Sequence, residues 1–152
     1  MPRKKNLKKK IILPDSIYDS ILIQMVINQI IKKGKKRLAS KLINQTLNVI
    51  ENKLNKNPLE IVEQGILNVT PVVEIKARRI GGAVYPIPIE LTPDRGNAVA
   101  IRWILQSCNS KAGKDFASNL ANEFIEASNK MGSAMRKKIE VHKIAESSAR
   151  LI

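Results

Sequence analysis

The clearest β-strand signal in this chain lies in residues 72–91, which have the sequence VVEIKARRIGGAVYPIPIEL. Two stretches rich in β-branched residues flank Gly81-Gly82, a pair that accepts the positive φ angles of a two-residue primed turn. The rest of the chain has helical patterning. We therefore predict one β-hairpin set into a helical protein.

Two prolines indicate that this hairpin remains a two-stranded ribbon. The N–H groups of alternate residues point to the same edge of a strand, and Pro86 and Pro88 both lack the N–H at one edge. A third strand would find no donors there. Because an isolated hairpin is only marginally stable in water, its base should rest on helices while its basic tip projects.

Composition limits the class of protein. The chain has 152 residues, 43% of them hydrophobic, which suits one domain with a single core. Aromatic residues make up only 3%, so the core must be aliphatic, and binding of single strands by extensive base stacking is disfavoured. The single cysteine, Cys108, excludes an internal disulfide, fits a reducing compartment and is interpreted as a small buried hydrophobe.

The high positive net charge indicates that the protein binds a polyanion. Lys and Arg number 27 against 13 Asp and Glu, which gives a formal net charge of +14. A polyanion that neutralises this charge is the simplest explanation, with nucleic acid favoured and an anionic membrane second. No stretch reaches the roughly 20 apolar residues of a membrane span, since the longest uncharged helical stretch is residues 20–31.

The predicted fold is mainly α: about six helices in one bundle-like domain, with a two-stranded antiparallel β-ribbon inserted after the third helix. Asp15 or Ser16 should start the first helix, whose wide apolar surface predicts a central position. Gly65 in the third helix predicts a close helix contact. The first helix is expected at about 15–33, and the second follows a turn at 32–37 and ends at about 55. The others are expected at about 58–70, 92–107, 115–130 and from 133. The domain plan is a basic N-terminal arm at 1–12 and one helical domain at 13–152 that contains the β-ribbon at about 72–91.

No catalytic constellation is present in the sequence. His142 is the only histidine, so a His-based metal site has no second imidazole. Glu123 and Glu126 are better explained by pairing with Lys130 or neighbouring cations than by catalysis. Gly81-Gly82 lacks the later residues of a phosphate-binding loop. We predict no enzyme activity, no cofactor and no metal.

The basic residues cluster at helix ends and in loops, which suits a folded RNA that is bound by shape and backbone. No single helix concentrates polar base-reading residues, as a major-groove reader of duplex DNA would. A free basic DNA-binding or architectural protein is the alternative. The predicted RNA contacts are Arg3, Lys4, Lys5, Lys8, Lys9, Lys10, Lys32, Lys33, Lys35, Lys36, Arg37, Lys76, Arg95, Arg102, Lys111, Lys114, Arg136, Lys137, Lys138 and His142.

The sequence around the hairpin, residues 69–90 with its Arg-Arg-x-Gly-Gly run, closely resembles ribosomal protein seven of the small subunit, bacterial and plastid type. Residues 28–36, 98–103 and 134–146 resemble other parts of the same family in the same order. The resemblance implies a helical domain with a protruding ribbon that binds the 3′ major domain of small-subunit rRNA and initiates assembly of the subunit head. It also implies contact with ribosomal protein eleven, and a ribbon near the exit-site tRNA and the mRNA path through Arg78, Arg79, Gly81, Gly82 and Tyr85.

Two features depart from the family pattern. Pro86 stands where the family usually has Gln, and residues 147–152 lack the usual aromatic and histidine ending. The chain is rich in Ile, Lys and Asn, as A/T-rich genes produce. The family pattern begins at about Leu13 and so leaves no room for a transit peptide. We therefore expect a plastid stromal protein encoded in the organelle, with a bacterial cytoplasm as the alternative.

Overall fold

A computed structural model describes residues 12–112 and 115–149 of the chain. Within those residues it has six helices and one two-stranded antiparallel sheet after the third helix, so the predicted mainly α fold is confirmed. The elements are α1 (Ile21–Ile30), α2 (Lys36–Leu54), α3 (Pro58–Val69), β1 (Val73–Ile80), β2 (Ala83–Glu90), α4 (Pro93–Ser110), α5 (Phe116–Ser128) and α6 (Ser133–Ala149).

The first helix is shorter than predicted at both ends. Asp15 forms a separate turn, in which its carboxylate accepts a hydrogen bond from the Ile17 N–H at 3.2 Å. The helix begins after Ser20, whose hydroxyl caps the first turn, and it ends at Ile30 rather than near Lys33. An Asp that bonds its own following amides competes with helix formation, which explains the displaced start.

The predicted start of α3 is confirmed. The Asn57 side chain accepts a hydrogen bond from the Leu59 N–H at 3.1 Å and donates one to Glu60 at 3.2 Å. Pro58 occupies the first helical position, where its missing N–H is not needed.

The core is aliphatic, as predicted, but α5 rather than α1 holds the central position. Helix α5 packs against α2, α3, α4 and α6, whereas α1 packs mainly against α2 and α4. Leu120 and Phe124 of α5 are fully buried. The prediction that α1 is central was wrong because part of its wide apolar surface faces solvent. Ile21, for example, is 53% exposed.

The hydrophobic pattern of α2 predicts a buried stripe that includes Leu38, but this residue lies outside, as does Leu67 of α3. Leu38 of α2 is 52% exposed and Leu67 of α3 is 63% exposed. On α2 the inner face is completed by Ala39 and Leu47, which are both buried. The small alanine allows neighbouring helices to approach, so the buried stripe is rotated from the one that side-chain size alone predicts.

Gly65 forms the close helix contact that the sequence predicted. A Cβ atom built at this position would lie 3.2 Å from the Phe124 carbonyl oxygen and 3.5 Å from the Ala127 Cβ. Backbone atoms of α3 and α5 therefore meet across this residue, and a larger side chain must push the helices apart.

Replacing Gly65 by Val should destabilise the protein by about 1–3 kcal/mol, because overpacking at this contact outweighs any gain in helix propensity. Gln64→Val is the matched control, since Gln64 is an exposed neighbour on the same helix. The control should change the free energy of unfolding by no more than about 0.5 kcal/mol. Equal stability of the two variants in urea unfolding would refute the tight contact.

The ribbon has the predicted turn and register. Ile80 pairs with Ala83 across Gly81 and Gly82, whose φ angles are +57° and +89°. Both angles lie in the left-handed region that a two-residue primed turn requires.

The prolines of β2 lie on the outer edge of the ribbon. In a two-residue hairpin the residues that flank the turn exchange hydrogen bonds, so the register directs the N–H of every second residue after Ala83 toward β1. Pro86 and Pro88 occupy the intervening positions, where an N–H would point away from β1. The base of the ribbon packs against α6, while residues 76–79 and 81–86 are exposed.

Candidate nucleic-acid interface

Five exposed cations surround the turn between α1 and α2. This turn cluster consists of Lys32, Lys33, Lys35, Lys36 and Arg37. Lys33 and Gly34 adopt positive φ angles of 52° and 76°, which fold the backbone sharply between the helices. None of the five forms an ion pair with a residue in the described ranges. Their charges are therefore available to an external anion.

The N-terminus of α2 adds to the positive potential of the turn cluster. Lys35 occupies the N-cap position without a side-chain hydrogen bond to the first turn, and that turn contains no acidic residue. The positive end of the helix dipole therefore adds to the positive potential around the lysines. Phosphate groups bind readily at such helix ends.

The ribbon distributes its cations over both faces. Lys76 and Arg78 lie on the same face of β1, and Arg78 is paired with Tyr85 of β2. Arg79 lies on the other face, where it is paired with Val84. Tyr85 is 46% exposed. An exposed aromatic ring beside an arginine can stack on an unpaired base while the cation binds its phosphate.

An ion pair connects the base of the ribbon to α4. Two guanidinium nitrogens of Arg95 donate to the Glu74 carboxylate at 2.9 and 3.1 Å. The Arg95 hydrogen bond holds the pKa of Glu74 below its ordinary value of 4.5, and the charges of Lys76 and Arg102 act in the same direction. Glu74 thus keeps its charge at neutral pH and partly neutralises the cations around it.

Replacing Glu74 by Gln should raise affinity for RNA by about two- to fivefold at low salt, because the exposed ion pair no longer competes with phosphate for Arg95. In the wild type the same release should occur as the pH falls through the lowered pKa of Glu74. Glu90→Gln is the control, since Glu90 is an exposed acid of the same ribbon without an ion pair in the described residues. An equal gain in both variants, measured by filter binding, would assign the effect to net charge alone.

Lys111 is directed inward rather than toward solvent. Its Nζ lies 2.7 Å from Glu123 Oε1 and 3.0 Å from Glu126 Oε1. Burial acts to lower the pKa of Lys111, but the hydrogen bonds to the two glutamates outweigh this and raise it. The glutamates thus pair with a neighbouring cation, as one of the sequence alternatives proposed, and Lys111 rather than Lys130 supplies it. Binding of rRNA by Lys111 stays a prediction.

The basic residues of α6 differ in their surroundings. Lys138 Nζ donates to the Asn68 carbonyl oxygen at 2.6 Å, and burial lowers its pKa. Lys137 Nζ donates to Gln106 at 2.8 Å. Lys138 therefore fastens α6 to the carbonyl end of α3, while Arg136 is exposed toward solvent.

His142 is half-buried and contacts the start of the ribbon. Its Nε2 accepts a hydrogen bond from the Val72 N–H at 3.4 Å. Its role as an RNA contact stays a prediction. The remaining predicted contacts lie outside the described residues: Arg3, Lys4, Lys5, Lys8, Lys9, Lys10 and Lys114.

Cys108 is buried, as the sequence interpretation proposed. Burial raises the pKa of its thiol to about 11, so it stays protonated at neutral pH. The part of the chain that the structure describes contains no group of three or more His, Cys, Asp or Glu residues placed to hold a metal ion. Among its helices, none has the length and apolar character required to cross a membrane.

Sequence reasoning missed Glu74 as a part of this surface. It lies 21 residues from Arg95, and no local pattern connects the two. The two residues meet because β2 runs antiparallel to β1, so that α4, which follows β2, begins beside the start of β1. Glu74, Lys76 and Arg78 lie at alternate positions of β1, which is a weak signal that could have identified it.

Comparison with known proteins identifies the family. The model of the family described as "Ribosomal protein S7p/S5e" matches residues 2–149. The match begins before Leu13, so the family pattern extends further toward the N-terminus than we predicted. "Small ribosomal subunit protein uS7c" of Tupiella akineta is 44% identical over 148 residues, which cover 97% of this chain and 95% of the relative.

Two further relatives agree with this result. "Small ribosomal subunit protein uS7" of Gloeothece citriformis is 45% identical, and the uS7c protein of Prototheca wickerhamii is 43% identical. Both alignments cover 97% of this chain and 95% of the relative. The chain therefore belongs to the ribosomal protein S7p/S5e family and is a non-enzymatic structural protein of the small ribosomal subunit.

Proposed function

We propose that this protein binds the 3′ major domain of small-subunit rRNA and initiates assembly of the subunit head. The observation that supports this most directly is the turn cluster, where five exposed cations without an ion pair to any described residue lie at the N-terminus of α2. Such an arrangement neutralises phosphates on a folded RNA without reading a regular groove. The N-terminal arm and the predicted contacts Arg102, Arg136 and Lys137 extend the same contact.

The ribbon has a separate role in this proposal. Its tip lies near the exit-site tRNA and the mRNA path, where Arg78, Arg79 and Tyr85 contact nucleotides. The exposed Tyr85 ring beside Arg78 supports binding to single-stranded or unpaired segments rather than to a duplex. Most of the affinity for rRNA then comes from the turn cluster and the arm, and the ribbon contributes little to it.

The proposed protein partner is ribosomal protein eleven, the neighbour implied by the family resemblance. The proposed location is the plastid stroma, with a bacterial cytoplasm as the alternative. The uS7c relatives support a plastid ribosome, and the uS7 relatives fit a bacterial one.

Binding to separate transcripts of the rRNA domains tests the proposed function. The full chain should bind the 3′ major domain more tightly than the 5′ domain, with an affinity that falls steeply with salt. Arg78→Ala with Arg79→Ala should leave this affinity within about twofold of wild type while weakening occupancy of the exit-site tRNA on assembled subunits.

The same preparations distinguish the ribosomal role from the alternative, a free basic DNA-binding or architectural protein. Comigration with small subunits in high salt supports the ribosomal role. Cofractionation with DNA, equal affinity for both rRNA domains, or a flat salt response would refute it. Collapse of the fold in the double-arginine variant, seen by circular dichroism, would refute a projecting ribbon.

A further inference from the structure

An apolar cleft of about 450 Å³ opens beside the turn cluster, between α1, α2, α4 and α5. Its walls include Ile30, Leu38, Leu42, Leu105 and Phe116. Leu38 is 52% exposed and adjoins the other apolar side chains of the cleft, so it is part of a continuous apolar surface rather than a single exposed side chain. The cleft therefore presents apolar surface, including an aromatic ring, at the most basic part of the described protein.

Three cations also line this cleft. Lys32, Lys33 and Lys35 of the turn cluster line the cleft, and all three are exposed. No acidic residue is among the described residues that line it. A ligand with an apolar, planar body and a negatively charged attachment would match both the walls and the rim.

Two amides add polar groups to the cleft. Gln29 Nε2 donates to the Ala98 carbonyl oxygen at 2.9 Å, which fixes the amide and leaves Oε1 to accept a hydrogen bond. Asn109, which also lines the cleft, has a side chain without a hydrogen bond to any described residue. A few oriented polar groups on an apolar wall are typical of small-ligand sites.

We infer that the cleft receives one unpaired base of the bound RNA, with the adjoining phosphates held by the turn cluster. The base would pack against Phe116 and Leu38 and donate a hydrogen bond to Gln29. This inference rests on the proposed rRNA-binding function. It adds that the protein selects a particular unpaired nucleotide, which phosphate contacts alone cannot do.

An acidic amphipathic helix is the competing occupant. Docking a helix requires a groove that receives several anchors spaced over two turns. The cleft is instead a single pocket within the volume range of small-molecule sites, rimmed by lysines that belong to a larger cationic cluster. Its size and rim therefore favour one nucleotide.

Two substitutions test the inference in the full-length protein with a transcript of the 3′ major domain. Leu38→Gln removes apolar wall at an exposed position, and Phe116→Leu removes the ring while keeping apolar volume. Leu67→Gln is the matched control, because Leu67 is an exposed leucine on α3 outside the cleft. Should Phe116→Leu unfold the protein, Leu38→Gln still carries the test.

Both cleft variants should lose about tenfold in affinity, a typical effect of losing base contacts. The slope of log affinity against log salt should stay unchanged, because no cation is removed. In chemical probing, at least one base protected on its Watson–Crick edge by the wild type should become reactive in both variants. Protection of the RNA backbone at the turn cluster should persist.

Several outcomes would overturn the inference without affecting the proposed function. These are wild-type affinity in both cleft variants, unchanged base protection, or a loss that Leu67→Gln reproduces. Normal RNA binding combined with failure to retain a neighbouring protein in the subunit would assign the cleft to a peptide. If the wild type itself does not bind the transcript, the proposed function fails instead.

Discussion

Replacing Lys35, Lys36 and Arg37 together by Gln should lower affinity for the 3′ major domain by between roughly tenfold and a thousandfold. These side chains form no ion pairs with other described residues, so each is free to bind a phosphate. Charge-assisted hydrogen bonds contribute about 1.5–3 kcal/mol each, and partial compensation by neighbouring lysines sets the lower limit. The slope of log affinity against log salt should fall by roughly 2–3.

The control removes three charges elsewhere. Lys56, Lys130 and Lys143 are exposed and are not among the predicted contacts. Their joint replacement by Gln makes the same change in net charge and should alter affinity by less than about threefold, because long-range potential is screened. If the two triple variants behave alike in filter-binding titrations at several salt concentrations, the turn cluster has no special role.

Replacing Lys111 by Met should destabilise the fold by about 3–5 kcal/mol, the usual cost of removing one partner of a buried pair. The Glu123 side chain is only 1% exposed, and its Oε2 accepts no hydrogen bond from a described residue. Without the ammonium, the carboxylate would remain as a buried, uncompensated charge. Urea unfolding monitored by circular dichroism measures the loss.

A second substitution distinguishes this cause from simple loss of packing. Lys111→Met combined with Glu123→Leu removes both charges and should recover most of the lost stability, as buried ion pairs often tolerate apolar replacement. In the wild type the pKa of Lys111 is raised on folding, so the pair contributes stability below the ordinary lysine value of 10.5 and loses it as the pH rises through the raised pKa. If the double variant is as unstable as the single one, the buried charge is not the cause.

The start of α3 and the turn of the ribbon could be predicted from the sequence because each is determined by a few adjacent residues. The Asn57 cap with Pro58 starts α3, and Gly81-Gly82 forms the turn, since each depends on the conformational preference of adjacent residues. The predicted start of α1 was wrong because adjacent residues there allow two conformations. Asp15 can cap a helix or bond its own following amides, and the sequence does not show which.

The sequence predicted that the candidate site is basic. It did not predict which cations are exposed and which are paired with carboxylates. Lys35 and Lys111 look equivalent in the sequence, yet one is exposed without an ion pair in the described residues and the other is paired with Glu123. The difference arises from α5, which brings a buried carboxylate beside the end of α4. The apolar cleft was likewise hidden, because it forms only where four helices meet and because Leu38 was expected to be buried.

The two edges of the ribbon have unequal capacity for self-association. On the outer edge of β2, Pro86 and Pro88 remove two successive N–H donors, whereas β1 contains no proline. Two copies of the protein that paired through β1 would leave only proline-interrupted edges exposed. Growth of an intermolecular sheet beyond two chains would therefore lack two successive N–H donors at each outer edge.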